Sequence, residues 1–171
     1  NKIVNALDKG SASGLREAKV NQYKGEAYFM LGFAYGELTA YYGDCILNNN
    51  MSLNEAYHAA RSPKEKVLEY AYECFDKAIE YLPATITGQL RPTKGAALGF
   101  KARFALFHQD WQTAADAAKQ CMDLNVYELH DNYLDLFKAD KSKELMFYFK
   151  GNLALKKGFG LFTDIRNTII R

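Results

Sequence analysis

The chain has 171 residues, 49% of them hydrophobic, which is enough for one sizeable core and the start of a second domain. Its 22 Lys and Arg stand against 20 Asp and Glu, a formal charge of +2 spread along the chain, so no large single-sign field favours nucleic acid. Cys45, Cys74 and Cys121 are odd in number and argue against a disulfide framework, and no run of about 18 apolar residues marks a membrane span.

In chain order, Lys2 to Leu7 read as the tail of a helix, and Lys9 to Gly14 as a flexible break carrying two glycines. From about Leu15 to Tyr42 apolar residues occupy two faces, with Tyr28, Leu31, Tyr35 and Leu38 on one and Phe29, Phe33 and Ala34 on the other. Such a pattern predicts a helix packed between neighbours. Gly32 and Gly36 are one turn apart and admit the close approach of another helix, at about 1 kcal/mol of propensity each. Gly43-Asp44 ends the element. Cys45 to Ala60 is polar, opens on Asn48-Asn49-Asn50 and is expected to be mostly loop. Ser62-Pro63-Lys64-Glu65 then reads as a capping box, with serine as N-cap and glutamate three residues on. Val67, Leu68, Ala71, Phe75, Ala78, Ile79 and Leu82 recur at helical steps until Pro83. A second helical pair begins near Thr93, and Asp110 is expected to cap a helix from Trp111 to about Leu124, with Asn125 at a left-handed C-cap position. Beyond it, Tyr127 to Phe137 is aromatic and irregular, Leu145 to Phe149 is a candidate short strand, and Lys156 to Gly160 a glycine-containing loop.

Two segments fit one helical-repeat pattern. Tyr28-x2-Leu31-Gly32-x2-Tyr35 matches the first half of the tetratricopeptide pattern, with Tyr for Trp, and Ala71-x3-Phe75-x2-Ala78 with Pro83 matches the second. Ala114-x3-Ala118-x2-Cys121 repeats that spacing. The span from Tyr28 to Pro83 exceeds a repeat of about 34 residues by about twenty, so residues have been inserted between its two helices. The predicted fold class is therefore all-α, made of tetratricopeptide-like helical repeats with a long inserted loop and an irregular C-terminal part.

Catalytic signals are weak. His58, His108 and His130 are separated, and neither a His-Glu-x-x-His, a Cys-x-x-Cys nor a Gly-x-Ser-x-Gly pattern occurs. Glu65, Glu69, Glu73 and Asp76 fit a solvated helix face better than the paired carboxylates of a glycosidase. No metal ligand set, cofactor or enzymatic activity is expected.

Several segments taken together resemble the SusD-like (RagB/SusD) nutrient-binding proteins of Bacteroidetes. They are Lys24 to Phe29 leading to Tyr41-Tyr42-Gly43-Asp44, Ala60 to Glu65 leading to Asp76 to Ile79, Thr93 to Leu98 leading to Asp110 to Ala115, and Tyr133 to Phe137 followed by Glu144. The resemblance implies a surface-exposed outer-membrane lipoprotein that binds an oligosaccharide or polysaccharide and delivers it to a TonB-dependent, SusC-like transporter. The lipidated cysteine of that family is absent, and the chain is about a third of the family's usual length. A chain that starts at Asn1 and stops at Ile169-Ile170-Arg171 is expected to be part of a longer protein. The expected division is residues 1–150 as the SusD-like helical region and 151–171 as the start of a truncated loop-rich segment.

A sugar needs flat aromatic faces for the apolar side of its ring and Asn, Asp or Arg groups for its hydroxyls. Tyr41, Tyr42, Asp44, Asn49, Asn50 and Tyr57, with Asn48, supply both types and are the candidate ligand residues. The competing use of the same residues is structural, Tyr41 and Tyr42 finishing a core helix while the asparagines solvate a loop. Trp111, beside a turn, is assigned to packing. The rival function is a tetratricopeptide-type adaptor binding a peptide or protein partner, against which the long polar insertion argues, because an adaptor has no use for it.

Overall fold

The computed structural model describes residues 2–9, 14–48, 53–85, 91–129, 131–133 and 143–147. The helices in order are α1 (Lys2–Asp8), α2 (Glu17–Tyr42), α3 (Leu53–His58), α4 (Lys64–Tyr81), α5 (Lys94–Phe107) and α6 (Trp111–Asp123). Among the described residues the only β pairing is an isolated antiparallel bridge between Cys45 and Ser62, and no helix is long and apolar enough to cross a membrane. The expected division at residue 150, the loop at Lys156 to Gly160 and the motif at Leu134 to Phe137 lie outside the described residues.

α2 packs on α4, α5 packs on α6, and α4 and α5 join the two pairs. The direction of packing follows from which residues meet. Gly25 of α2 faces Leu82 beyond the end of α4, Gly32 faces Phe75, and Tyr35 clusters with Val67 and Ala71. Numbers rise along α2 as they fall along α4, so the pair is antiparallel. Phe29 meets Phe100, and Gly36 meets Phe104, so α2 and α5 run the same way. The C-terminal ends of α2 and α5 and the N-terminal end of α4 therefore share one end of the bundle, where the insertion leaves and returns.

The glycines of α2 set these distances. A Cβ built on Gly36 would stand 2.5 Å from the Phe104 ring, and one on Gly32 3.0 Å from Phe75. Phe29, at the centre, meets Phe75, Phe100 and Phe147 edge-on at centroid separations of 6.2, 5.4 and 5.2 Å, an arrangement that aligns ring edges with ring faces. Ala71, Phe75 and Ala78 are all fully buried, as the repeat pattern predicts. Cys74 and Cys121 are buried and unpaired, and burial pushes the Cys74 thiol up to about 11.

Several expectations are corrected. The insertion, expected to be mostly loop, also contains a short helix, Leu53–His58 (α3), with the acidic Glu55 in its first turn, which suits the helix dipole. The Ser62 capping box does not form: α4 starts at Lys64 with no side-chain cap from its own N-cap position. In the second repeat Ala118 is exposed while Ala117 is buried against Leu98, so the α6 packing face runs through Ala114, Ala117 and Cys121. Trp111 is exposed, standing at the first position of α6, one turn outside that face. Ala34 and Leu38 also stay exposed. Residues 145–147 form no strand; Leu145 and Phe147 are instead buried in irregular backbone.

Other local signals hold. Thr93 and Asp110 cap α5 and α6 by accepting the backbone N–H groups of Ala96 and Thr113, while Gly43 and Asn125 take positive φ beyond the ends of α2 and α6. Arg91 makes a two-pronged ion pair to Glu26 at 2.8 and 2.6 Å and lies over the Tyr23 ring, fastening the linker after α4 back onto α2.

Candidate functional site

The shared end of the bundle is built on a hydrogen-bonded base. After Gly43 turns the chain out of α2, the Asp44 carboxylate accepts the backbone N–H of Lys64 at 2.9 Å, and the Ser62 N–H donates to the Cys45 carbonyl at 2.9 Å. Residues at the two ends of the insertion are thereby clipped together. Asp44 supplies the first turn of α4 with the anionic acceptor that Ser62 was expected to give, and a carboxylate at that place also suits the helix dipole. Inside the clip, the Asn48 N–H donates to the Tyr35 hydroxyl at 2.9 Å, and that hydroxyl lies 3.3 Å from the Asn48 carbonyl oxygen, which accepts from it. Leu47 closes down onto Tyr35, Val67 and Ala71. Burial raises the Tyr35 phenol above its ordinary value, so it remains a neutral donor and acceptor.

The predicted ligand residues separate in this setting. Tyr41, Tyr42 and Tyr57 are 77%, 73% and 84% exposed, so Tyr41 and Tyr42 do not finish a core. The last turn of α2 projects past its partners, and Thr39, whose hydroxyl bonds the Tyr35 and Gly36 carbonyls, is its last buried residue. Asp44 is also exposed, but its carboxylate is already used by α4. Asn49 and Asn50 lie outside the described residues.

Tyr41 has company that the sequence did not single out. A groove of about 270 Å³ runs between the ends of α2 and α5, lined by Glu37, Ala40 and Tyr41 from one helix and Arg103, Phe104, Leu106 and Phe107 from the other. Tyr42, Asp44 and Tyr57 do not line it. Phe104 belongs to the core beneath, whereas Leu106 and Phe107 are exposed. By sequence alone Phe100, Phe104, Leu106 and Phe107 together count as the apolar volume of this helix. The helix ends there, and no described residue covers it. His108, next along, meets the Phe107 ring edge-on at 5.3 Å. Its pKa is lowered first by burial and then by Lys64, with Glu65 opposing, which places the groove beside the start of α4 and the base of the insertion.

A second, larger groove of about 480 Å³ lies between α1 and α2, lined by Ile3, Leu7, Tyr23, Glu26, Ala27, Met30 and Leu31. It contains none of the candidate residues, and its walls are almost wholly apolar.

Comparison with known proteins places this architecture. The family model for SusD-like proteins described as "Starch-binding associating with outer membrane" matches residues 1–106. The chain belongs to the SusD-like family. It is 27% identical over 135 residues to SusD-like protein P2 of Formosa agariphila, a match covering 75% of this chain and 26% of that protein. A SusD superfamily protein of Bacteroides vulgatus superposes with a TM-score of 0.77 at 22% identity, over 88% of this chain and 38% of the other. A SusD-like carbohydrate binding protein of Bacteroides fragilis does so with a TM-score of 0.74 at 24% identity, over 86% and 30%. At these identities the solved structures establish a shared fold, and this SusD-like chain spans about a quarter to two fifths of the relatives' length.

Proposed function

We propose that this chain is part of a non-enzymatic glycan-binding component of an outer-membrane polysaccharide uptake system, one that captures an oligosaccharide or polysaccharide and hands it to a SusC-like TonB-dependent transporter. The observation that carries the reading is the family match over residues 1–106, within which the exposed Tyr41, Tyr42 and Tyr57 cluster in sequence around the clipped insertion. In this reading the protein is a surface-exposed outer-membrane lipoprotein. The helical repeats offer the transporter a rigid, constant face, while the insertion faces the ligand, because a loop can change its hydrogen-bonding groups without disturbing the core.

The test is a binding screen of the full-length protein against soluble polysaccharides, with reducing-end detection run in parallel. Binding without release of reducing ends is expected. Turnover that survives purification and disappears on changing one carboxylate would overturn the non-enzymatic part. For the bound glycan, a double Asn49→Ala, Tyr57→Ala variant is expected to lose affinity, and Tyr57→Ala alone, at an exposed position, to change stability by no more than about 0.5 kcal/mol. Unchanged affinity moves the ligand away from the insertion. Co-purification with a TonB-dependent barrel tests the hand-over, and its absence from native outer membranes counts against it.

A further inference from the structure

α2 carries two apolar stripes, and only one of them is covered along its length. Phe29, Gly32 and Gly36 meet α4 and α5. On the opposite side Tyr23, Ala27, Met30, Ala34, Leu38 and Tyr41 recur at steps of three and four residues with no charge among them. A helix apolar on both sides is suited to being packed on both. Over the first half of the second stripe that cover is α1, whose Ile3 and Leu7 share a groove with Tyr23, Ala27 and Met30. Over the second half Ala34, Leu38 and Tyr41 are exposed.

The direction of α1 indicates what continues the cover. Asp8, in its last turn, pairs with Lys24 near the start of α2 at 2.5 Å, while Ile3, at its other end, lines the groove that runs on to Met30 and Leu31. α1 therefore runs antiparallel to α2, and its axis prolonged beyond Lys2 follows the stripe towards Leu38. From Leu31 to Tyr41 is about 15 Å at about 1.5 Å per residue, so about two to three further turns complete the track. The track is shaped for a helix: the small Ala27 and Ala34 allow close approach, and Met30 and Leu38 stand up between them as a ridge.

A second copy of the chain fits less well. Stable association buries about 800 Å² on each partner, far more than a strip of three residues that ends against α1 provides. The chain spans about a quarter to two fifths of its relatives' length, and a segment joined to an already seated helix avoids the translational and rotational cost that a separate molecule bears.

We propose that in the full-length protein the stretch immediately preceding residue 1 prolongs α1 by about two to three helical turns and lies antiparallel over Ala34 and Leu38 of α2. Its chemistry is specified: apolar residues three and four positions before Ile3, and again one turn further back, with no proline between them. This inference stands apart from the glycan-binding reading and constrains it, because Tyr41 then lies against the far end of the prolonged helix and Tyr42 and Tyr57 are left to face a ligand.

The test is photo-crosslinking of the full-length protein carrying p-benzoylphenylalanine at position 34 or 38, with the adduct mapped by mass spectrometry. Capture within the roughly ten residues that precede residue 1 is expected from at least one position. Because a bulky probe can displace a helix, Ala34→Cys and Leu38→Cys are also labelled with a maleimide in a Cys45→Ala background, Cys74 and Cys121 being buried. Each is expected to react at least about tenfold more slowly in the native protein than in urea. Fast labelling at both cysteines overturns the proposal. Slow labelling with capture only of another segment or of a second copy assigns the face to that occupant and overturns it too, as does no capture from either position. A preceding sequence with proline in those turns, or with charges at the facing positions, overturns it before any measurement.

Discussion

The body of α2 and its last turn use similar residues to opposite ends. Phe29 and Tyr35 are shut in, with glycines at 32 and 36 drawing α4 and α5 against the helix. Beyond Thr39, Tyr41 and Tyr42 stand in solvent at the rim of a groove and an insertion. Ring chemistry does not separate the two regions. What separates them is whether a neighbouring helix continues far enough to cover the ring, and α5 stops at Phe107. A residue's place relative to its partner's end therefore says more about its use than its own hydrophobicity does.

The sharpest way to break that contrast is to remove a ring from the closed region. Phe75→Ala, fully buried between Phe29 and Phe104, is expected to cost about 3–5 kcal/mol in urea denaturation, and a loss below about 1 kcal/mol would show that the helices do not share one core. Overfilling tests the same region from the other side. Gly36→Leu must push Phe104 aside and is expected to cost about 1–3 kcal/mol, whereas a neutral result would mean that α2 and α5 do not meet as described.

The boundary between the regions is tested by the clip. Asp44→Ala is expected to destabilise by about 1 kcal/mol through the lost acceptor at the start of α4, while Ser62→Ala stays within about 0.5 kcal/mol. The reverse ranking would restore the serine as the cap. The smallest effect is a pH slope. The neutral His108 imidazole is favoured by burial and by Lys64, with Glu65 opposing, so its folded pKa lies below the ordinary imidazole value. As pH falls through that value the unfolded chain takes up the proton first, and stability drops. His108→Gln should flatten the change in melting temperature between neutral and mildly acidic pH; an unaltered slope would assign it to the carboxylates.

Much of the helical frame was legible because its signals are local. Asp110, Asn125, Gly43 and the Ala71-Phe75-Ala78 spacing each act within a turn or two of their own position. What stayed hidden was non-local. Asp44 reaches a backbone donor twenty residues ahead, and Ser62 lies two residues before the start of α4, its N–H bonded to Cys45 across the insertion. Tyr41 lines a groove with Phe107 and Arg103, a juxtaposition hidden from the sequence because nothing in the spacing says which helix end lies beside which. α3 was hidden for another reason: six residues carry too few turns for a periodic signal to rise above a polar loop.

Closing the insertion at its base has a consequence for how such a protein can change. With Cys45 held to Ser62 and Asp44 to Lys64, the intervening segment behaves as a cassette with fixed ends, and its contents are mechanically decoupled from the direction in which α4 departs. Doubling the length of a flexible loop adds only about 0.6 kcal/mol of closure entropy, so mutation can lengthen, shorten or rewrite what lies between the two fasteners while the helices on either side keep their register.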